Sequence, residues 1–376
     1  MTSGKNLRWL EKKMSALYSF DGSLLKYVSP SGGKEKIATK LGEANPSGIL
    51  KLDSNENFFI SHSYHNNILA DILKDVDLRL YDPTAIAEIK EALGKYVGTP
   101  SECITVSSGS EQLIDLIARL FLEKRDNTLS IVPTFFMYEK RVKLEGAELH
   151  TVPLDADLSL NVKAILEKVT PKTRLIFVCS PNNPTGNQFE LEKIETLADE
   201  CSALVVIDEA YAEFGDYSAA PLAIKKKNVI VVRTFSKAFG LAGMRFGYSI
   251  APSNIASVLS AIIPYTLSTV TAKYVLKLLS NTHFVEDSIE MAKVERKRLI
   301  DELKNIKGLE VFDSKGNFVT FRSYKYAGYI HQQLLERGIM IKNLGSLPVI
   351  GHCLRVTVGL PDMNNQFLCA LRQIQE

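Results

Sequence analysis

Cysteine is scarce and scattered. Its five copies, at positions 103, 179, 201, 353 and 369, form no CxxC pair. That excludes a disulfide frame or a zinc ribbon, and the thiols read as reduced core residues. The six histidines show no HxxxH or HExxH spacing, so no metal centre is expected. Excess charge is lacking as well: 45 basic against 43 acidic side chains leave a net charge of +2. Such a balance carries no electrostatic footprint for nucleic acid. No apolar run is long enough to cross a bilayer, which removes a membrane partner. The phosphate loop GxxxxGK followed by Ser or Thr appears nowhere. The first twenty residues hold no continuous apolar core of a secretory leader, and Glu11 speaks against a transit peptide. A cytoplasmic protein is therefore expected. Leu10, Met14 and Leu17 fall at helical spacing, compatible with a short amphipathic helix or with a loosely ordered arm.

What is present is the balance of a soluble globular chain, 45% hydrophobic and 23% charged over 376 residues. From about residue 100, short β-rich runs alternate with helical patterns: CITVSS, TLSIV, ELHTVPL, RLIFVCS, ALVVID, NVIVVRT and FGYSIA read as strands. Several of these are apolar throughout. Strands of that kind belong to a largely parallel sheet covered by helices on both faces, so the fold class is α/β. Beyond Pro264 the pattern becomes α+β: helices over 267–306, two strands around a Ser-Lys-Gly-Asn turn, then helix, strands and a closing helix at 362–375. The expected organisation is an N-terminal arm at 1–49 packing with the small domain, a large domain at 50–265 and a small domain at 266–376.

In such sheets ligands bind beyond the carboxyl ends of the strands. Four polar clusters lie directly after strands: Ser107 to Glu111, Pro181 to Gly186, Asp208 to Tyr211, and Thr234 to Lys237. Ser107-Ser108-Gly109-Ser110-Glu111 enters a helix, where free N–H groups and a partial positive charge hold phosphate. Ser110 serves there as an ordinary N-cap or as a phosphate ligand. SPNNPTG (180–186) is a Pro-rich turn whose asparagines face the crevice. Asp208 closes a buried strand, so its carboxylate needs a partner, either a helix start or a protonated ring nitrogen. Tyr211, three residues on, reaches the same ligand.

Lys237 sits among small and apolar residues in TFSKAFGLAGMRFGY (234–248). A free lysine amine, with a pKa of about 10.4, is no nucleophile at neutral pH. Burial near other cations lowers that value and frees the amine to form a Schiff base with an aldehyde. Ser236 and the planar fork of Arg245 suit a phosphate. The stretch thus asks for an aldehyde that also carries a phosphate and a protonatable ring nitrogen, which describes pyridoxal 5′-phosphate.

With these residues in hand, the chain resembles the fold-type-I pyridoxal-phosphate-dependent aminotransferases, and among them the histidinol-phosphate aminotransferase family. The resemblance runs from about Tyr27 to the C-terminus on KLDSNEN (51–57), SSGSEQ (107–112), CSPNNPTG (179–186), VIDEAY (206–211), RTFSKAFGLAGMRFGY (233–248) and LRVTVGLP (354–361). It implies Lys237 as the Schiff-base lysine and Asp208 as partner of the pyridine nitrogen. Asn183 and Tyr211 would bond the ring oxygen, and Phe135 would stack on the ring. Gly109, Ser110, Glu111, Ser236 and Arg245 would cradle the phosphate, with Glu111 capping or orienting. Arg355 would bind the substrate carboxylate, in a pocket lined by Asn55.

The same resemblance implies amino transfer from a small-molecule donor, L-histidinol phosphate, to 2-oxoglutarate. It also implies a homodimer with active sites at the interface. Three positions depart from the family pattern. The RYPDP-like segment reads Arg79-Leu80-Tyr81-Asp82-Pro83, placing Tyr81, expected near the partner's cofactor, one position late. Phe58-Phe59 follows NEN where Pro-Tyr is common. Lys342 replaces an arginine that resembles a substrate-phosphate ligand, and Tyr27 corresponds to an N-terminal tyrosine near that phosphate. An aromatic aminotransferase or a threonine-phosphate decarboxylase-like lyase remains an alternative reading, as does a non-catalytic binding protein on the same sheet.

Overall fold

The computed structural model describes residues 48–376. Tyr27, the helical spacing at 10–17 and nearly all of the arm expected at 1–49 lie outside the described residues. After the two-residue strand β1 (Leu50–Lys51), the chain forms α1 (His62–Ile72), α2 (Ala85–Val97), β2 (Ile104–Ser107), α3 (Ser110–Phe121), β3 (Asn127–Val132) and α4 (Met137–Leu144). It continues through β4 (Glu148–Pro153), α5 (Val162–Glu167), β5 (Thr173–Cys179), α6 (Leu191–Glu200), β6 (Leu204–Asp208), α7 (Ala220–Lys225), β7 (Val229–Thr234) and β8 (Gly247–Ile250). Helices α8 (Ser253–Ile262), α9 (Thr269–Leu279) and α10 (His283–Lys304) follow. The chain ends in β9 (Leu309–Val311), β10 (Phe318–Ser323), α11 (Ala327–Glu336), β11 (Ile339–Met340), β12 (Lys342–Leu347), β13 (Gly351–Thr357) and α12 (Pro361–Gln375).

Strands β2 to β8 form one sheet in the order β2-β8-β7-β6-β5-β3-β4. Only β8 opposes its neighbours, so the carboxyl ends of β2, β3, β5, β6 and β7 share one edge. The α/β class expected from the apolar strands is what forms, and the packing shows why. Ile176, Val178, Val205, Ile207, Val229 and Val231 enter one hydrophobic cluster. Their alternates Leu175, Phe177, Val206, Ile230 and Val232 enter a second, with α3 supplying Leu113, Ile114 and Ile117. Successive strand residues point to opposite faces, so a sheet buried on both sides must be apolar at every position. Each such side chain, once fully buried, contributes about 1.5–3 kcal/mol.

The C-terminal part carries its own antiparallel sheet, in the order β12-β13-β10-β9. β1 pairs in parallel with β11, so Leu50 and Lys51 join the backbone of this later region. Both sheets belong to one compact unit, Leu50–Glu376. Among the described residues no helix is long and apolar enough to cross a membrane. No group of three His, Cys, Asp or Glu side chains there is disposed to hold a metal ion.

Candidate active site

The shared carboxyl edge brings the expected clusters together by register. Cys179 pairs with Asp208 and Asp208 with Val232, while Gly247 is the Cα partner of both Thr234 and Ser107. Residues separated by a hundred or more positions in the chain therefore line one crevice.

Asp208 is the last residue of β6 and is 3% exposed. The backbone N–H of Ala210 donates to its Oδ1 at 3.1 Å, and the Tyr138 hydroxyl donates to its Oδ2 at 2.8 Å. Burial pushes this carboxyl up to about 6, with Glu209 and Glu111 acting in the same direction and the two hydrogen bonds opposing. Tyr138 was not expected from the sequence. Its only signal is position: it lies three residues beyond Phe135, just inside α4, the helix that follows β3.

Lys237 follows β7 in a tight loop. Its Nζ donates to the Ser54 carbonyl at 2.8 Å and lies 5.9 Å from the Tyr211 ring centroid. Burial pushes the amine down to about 8, helped by the nearby cations Arg355, Lys51 and Arg245, with Glu56 opposing. This is the depressed basicity that a nucleophilic lysine needs. Lys51 is itself tied to Asp53 and Glu56.

The segment 53–57 forms a strap over these groups. Asn55 has a φ of 55°, a left-handed conformation that Asn tolerates better than most residues. Its N–H donates to Thr357 Oγ1 at 2.9 Å, and its Nδ2 donates to the Tyr211 hydroxyl at 2.8 Å. Asn57 Nδ2 donates to the Ala238 carbonyl at 2.7 Å. Arg355, on β13, donates to Asn183 Oδ1 at 2.5 Å and to the Asp53 carbonyl at 3.0 Å, with its guanidinium 5.3 Å from the Phe318 ring centroid. Asn55, Asn183, Tyr211, Lys237 and Arg355 are thus connected. Asn182, the other asparagine of the SPNNPTG turn, instead bonds Pro133, Thr134 and Thr185 and holds the turn itself.

At the other end of the crevice Gly109 caps α3 with a φ of 93°. A Cβ there would be strained by the positive φ and would lie 2.7 Å from Arg245 Nη2, so glycine suits the point where the helix start meets this guanidinium. Arg245 also donates to Ser236 Oγ at 3.4 Å. Ser110 does not cap the helix: it is the first helical residue, and Gln112 Oε1 accepts from the Ser108 N–H at 2.7 Å. The cap position needs a positive φ that serine adopts poorly, so Gly109 takes it and Ser110 follows as the first helical residue. Glu111 lies in the first turn.

Phe135 is edge-on to Tyr138 with centroids 5.6 Å apart. Lys342 is the Cα register partner of Arg355 across β12 and β13, so the two share a face. Tyr81 is 80% exposed, and its ring meets Tyr265 at 5.0 Å. Glu209 and Glu213 also hold Arg233 in buried ion pairs, which no sequence pattern announces.

The donor set fits a phosphorylated pyridine aldehyde. A glycine-lined helix start with Ser236 and Arg245 suits the phosphate. A buried carboxylate suits a protonated ring nitrogen, and an amine of lowered basicity suits the aldehyde. Asn55 Oδ1 and Arg355 Nε are buried without hydrogen-bond partners, polar capacity that a ligand would use.

Comparison with known proteins agrees with this chemistry. The sequence model of the family described as aminotransferase class I and II matches residues 47–371. A histidinol-phosphate aminotransferase of Ruminiclostridium cellulolyticum is 35% identical over 331 residues, 86% of this chain and 92% of that protein. One of Methanococcoides burtonii is 36% identical over 357 residues, 94% of this chain and 97% of its own. A crystal structure of histidinol-phosphate aminotransferase from Sinorhizobium meliloti with pyridoxal-5′-phosphate superposes with a TM-score of 0.82 at 24% identity, covering 94% of this chain and 96% of that one.

Proposed function

Since this chain belongs to the class I and II aminotransferases, we propose that it transfers the amino group of L-histidinol phosphate to 2-oxoglutarate, giving imidazole acetol phosphate and L-glutamate. Pyridoxal 5′-phosphate is the cofactor of that reaction. The observation that carries the reading is the convergence of Lys237, Asp208 and Arg355 on one crevice. The donor is supported by relatives of that name across most of the chain.

When bound, the cofactor supplies an aldehyde and a protonated ring that accepts the electron pair of a breaking Cα–H bond. Asp208 holds the ring nitrogen in its protonated form. Gly109, Ser110, Ser236 and Arg245 grip the phosphate, with Glu111 orienting the helix start. Phe135 covers the ring face, and Asn183 and Tyr211 bond the ring oxygen. Lys237 would hold the aldehyde through its Nζ. As a free amine, with its pKa lowered to about 8, the same Nζ would be placed to take and return the proton of the substrate Cα. Arg355 binds the carboxylate of 2-oxoglutarate by its fork beside Asn55. Lys342 and Tyr27 are our candidates for the substrate phosphate.

The reading includes a cytoplasmic homodimer in which Tyr81 approaches the partner's site. The exposure of Leu78, Leu80, Tyr81 and Tyr265 supports a covered surface there.

A screen of amino donors against 2-oxoglutarate tests the donor. Histidinol phosphate is expected to be used fastest. Faster turnover of phenylalanine, or release of CO2 without need of a keto acid, would displace it in favour of an aromatic transaminase or a lyase. Arg355→Ala is expected to raise the KM for 2-oxoglutarate at least about tenfold, the loss of one charge-assisted contact. An unchanged KM would remove Arg355 from the carboxylate site.

A further inference from the structure

We propose that Tyr138 is a positioning residue that clamps the Asp208 carboxylate in the orientation and charge state that bind the cofactor ring. This rests on the reading of Asp208 given above and extends it to a residue outside the crevice. Three observations carry it. First, each oxygen of Asp208 receives a different donor, Ala210 N–H on Oδ1 and the Tyr138 hydroxyl on Oδ2. A carboxylate held at both oxygens cannot turn about its terminal bond, and each oxygen keeps a lone pair for a ligand.

Second, the tyrosine is itself immobile. It is 1% exposed, and its ring stacks on Phe177 with centroids 4.7 Å apart and planes 4° from parallel, while Phe135 meets its edge. Its hydroxyl therefore comes to Asp208 preplaced. Third, the charges around Asp208 oppose its ionisation. Glu209 and Glu111 raise its pKa, burial raises it most, and the neighbouring Cys179 and Tyr211 bring no positive charge. Apart from the Ala210 N–H, the Tyr138 hydroxyl is what favours the anion. Without it the carboxyl would keep its proton to higher pH and could not pair with a protonated ring nitrogen.

The test uses pyridoxamine 5′-phosphate, which lacks the aldehyde and so reports the non-covalent site alone. It is titrated into the apoprotein by absorbance across pH 4 to 8, on the order of two units either side of the carboxyl's midpoint. In Tyr138→Phe, which keeps the stacked ring, affinity at pH 7 is expected to fall about tenfold and the low-pH midpoint to rise about one unit. In an Asp208→Asn background the same substitution is expected to change nothing, because Tyr138 acts through the carboxylate. If Asp208→Asn alone leaves affinity intact, the pairing of Asp208 with the ring fails and the inference with it. If Asp208→Asn weakens binding but Tyr138→Phe leaves affinity and midpoint unmoved, only the inference is overturned. Should the phenylalanine chain not fold, 3-fluorotyrosine at 138 tests the same contact. Its more acidic phenol donates more strongly and is expected to lower the midpoint, and a midpoint that stays put would overturn the proposal.

Discussion

Replacing Lys237 by alanine is expected to lower turnover at least about 10,000-fold, because in the proposed function one side chain supplies both the covalent hold on the aldehyde and the proton transfer at the substrate Cα. No neighbour can take over. Lys51 is tied to Asp53 and Glu56, and Arg355 and Arg245 are guanidinium groups that do not give up a proton at working pH. Borohydride reduction followed by peptide mapping should find the cofactor's mass on residue 237 of the parent chain and on no residue of the variant. Full retention of activity, or label elsewhere, would end the assignment. The apoprotein should be no less stable for the change. The folded amine has its pKa pushed down to about 8 from an ordinary 10.5, so the folded chain binds fewer protons than the unfolded one between those values. The group therefore costs stability below pH 8, a cost that fades as pH rises towards 10.5. Alanine removes it, and a melting temperature at pH 7 equal to or above the parent's separates lost chemistry from lost structure.

Asp208→Asn is expected to cost about 1,000-fold in kcat, the scale of removing a preorganised charge from a water-excluded site. Asparagine keeps the shape but cannot hold a ring nitrogen protonated. A loss under about tenfold would show that the charge is not used. The same variant should alter the pH dependence of folding. In the folded apoprotein Asp208 keeps its proton up to about 6, against an ordinary 3.8, so the folded state binds more protons in that window. Its contribution to stability is present below pH 3.8 and is lost as pH rises through 6. Chemical denaturation of the apoprotein between pH 4 and pH 6 should show that decline, and it should flatten in Asp208→Asn.

The strands that carry the site were legible because their physical situation is simple. A sheet covered on both faces writes itself as an apolar run, and the polar residue that ends the run marks the open edge. That rule places Asp208, Lys237 and the Ser107–Glu111 turn at the sheet edge where the structure has them. Helix α1, HSYHNNILADI, was not, because none of its residues is fully buried and its pattern is weak. Strands β1 and β11, two residues each, are too short to leave a periodicity. The contacts that assemble the site span 183 positions for Lys237 with Ser54 and 172 for Arg355 with Asn183. Two of them end on backbone carbonyls, at Ser54 and Asp53, which no side-chain code can announce. Serine favours the cap position, so the sequence offers Ser110 as a possible cap. The left-handed backbone next to Arg245 overrode the preference and put Gly109 there.

Alternation along β6 has a consequence for how such a chain can vary. Val206 and Asp208 stand on the face where Tyr138 packs, and Ile207 on the other. Inserting or deleting one residue inside the strand would reverse that parity and turn the carboxylate to the opposite side of the sheet, away from the Tyr138 hydroxyl. Residues of β6 can be exchanged for others of like character, but a change of its length by one residue would take Asp208 away from Tyr138.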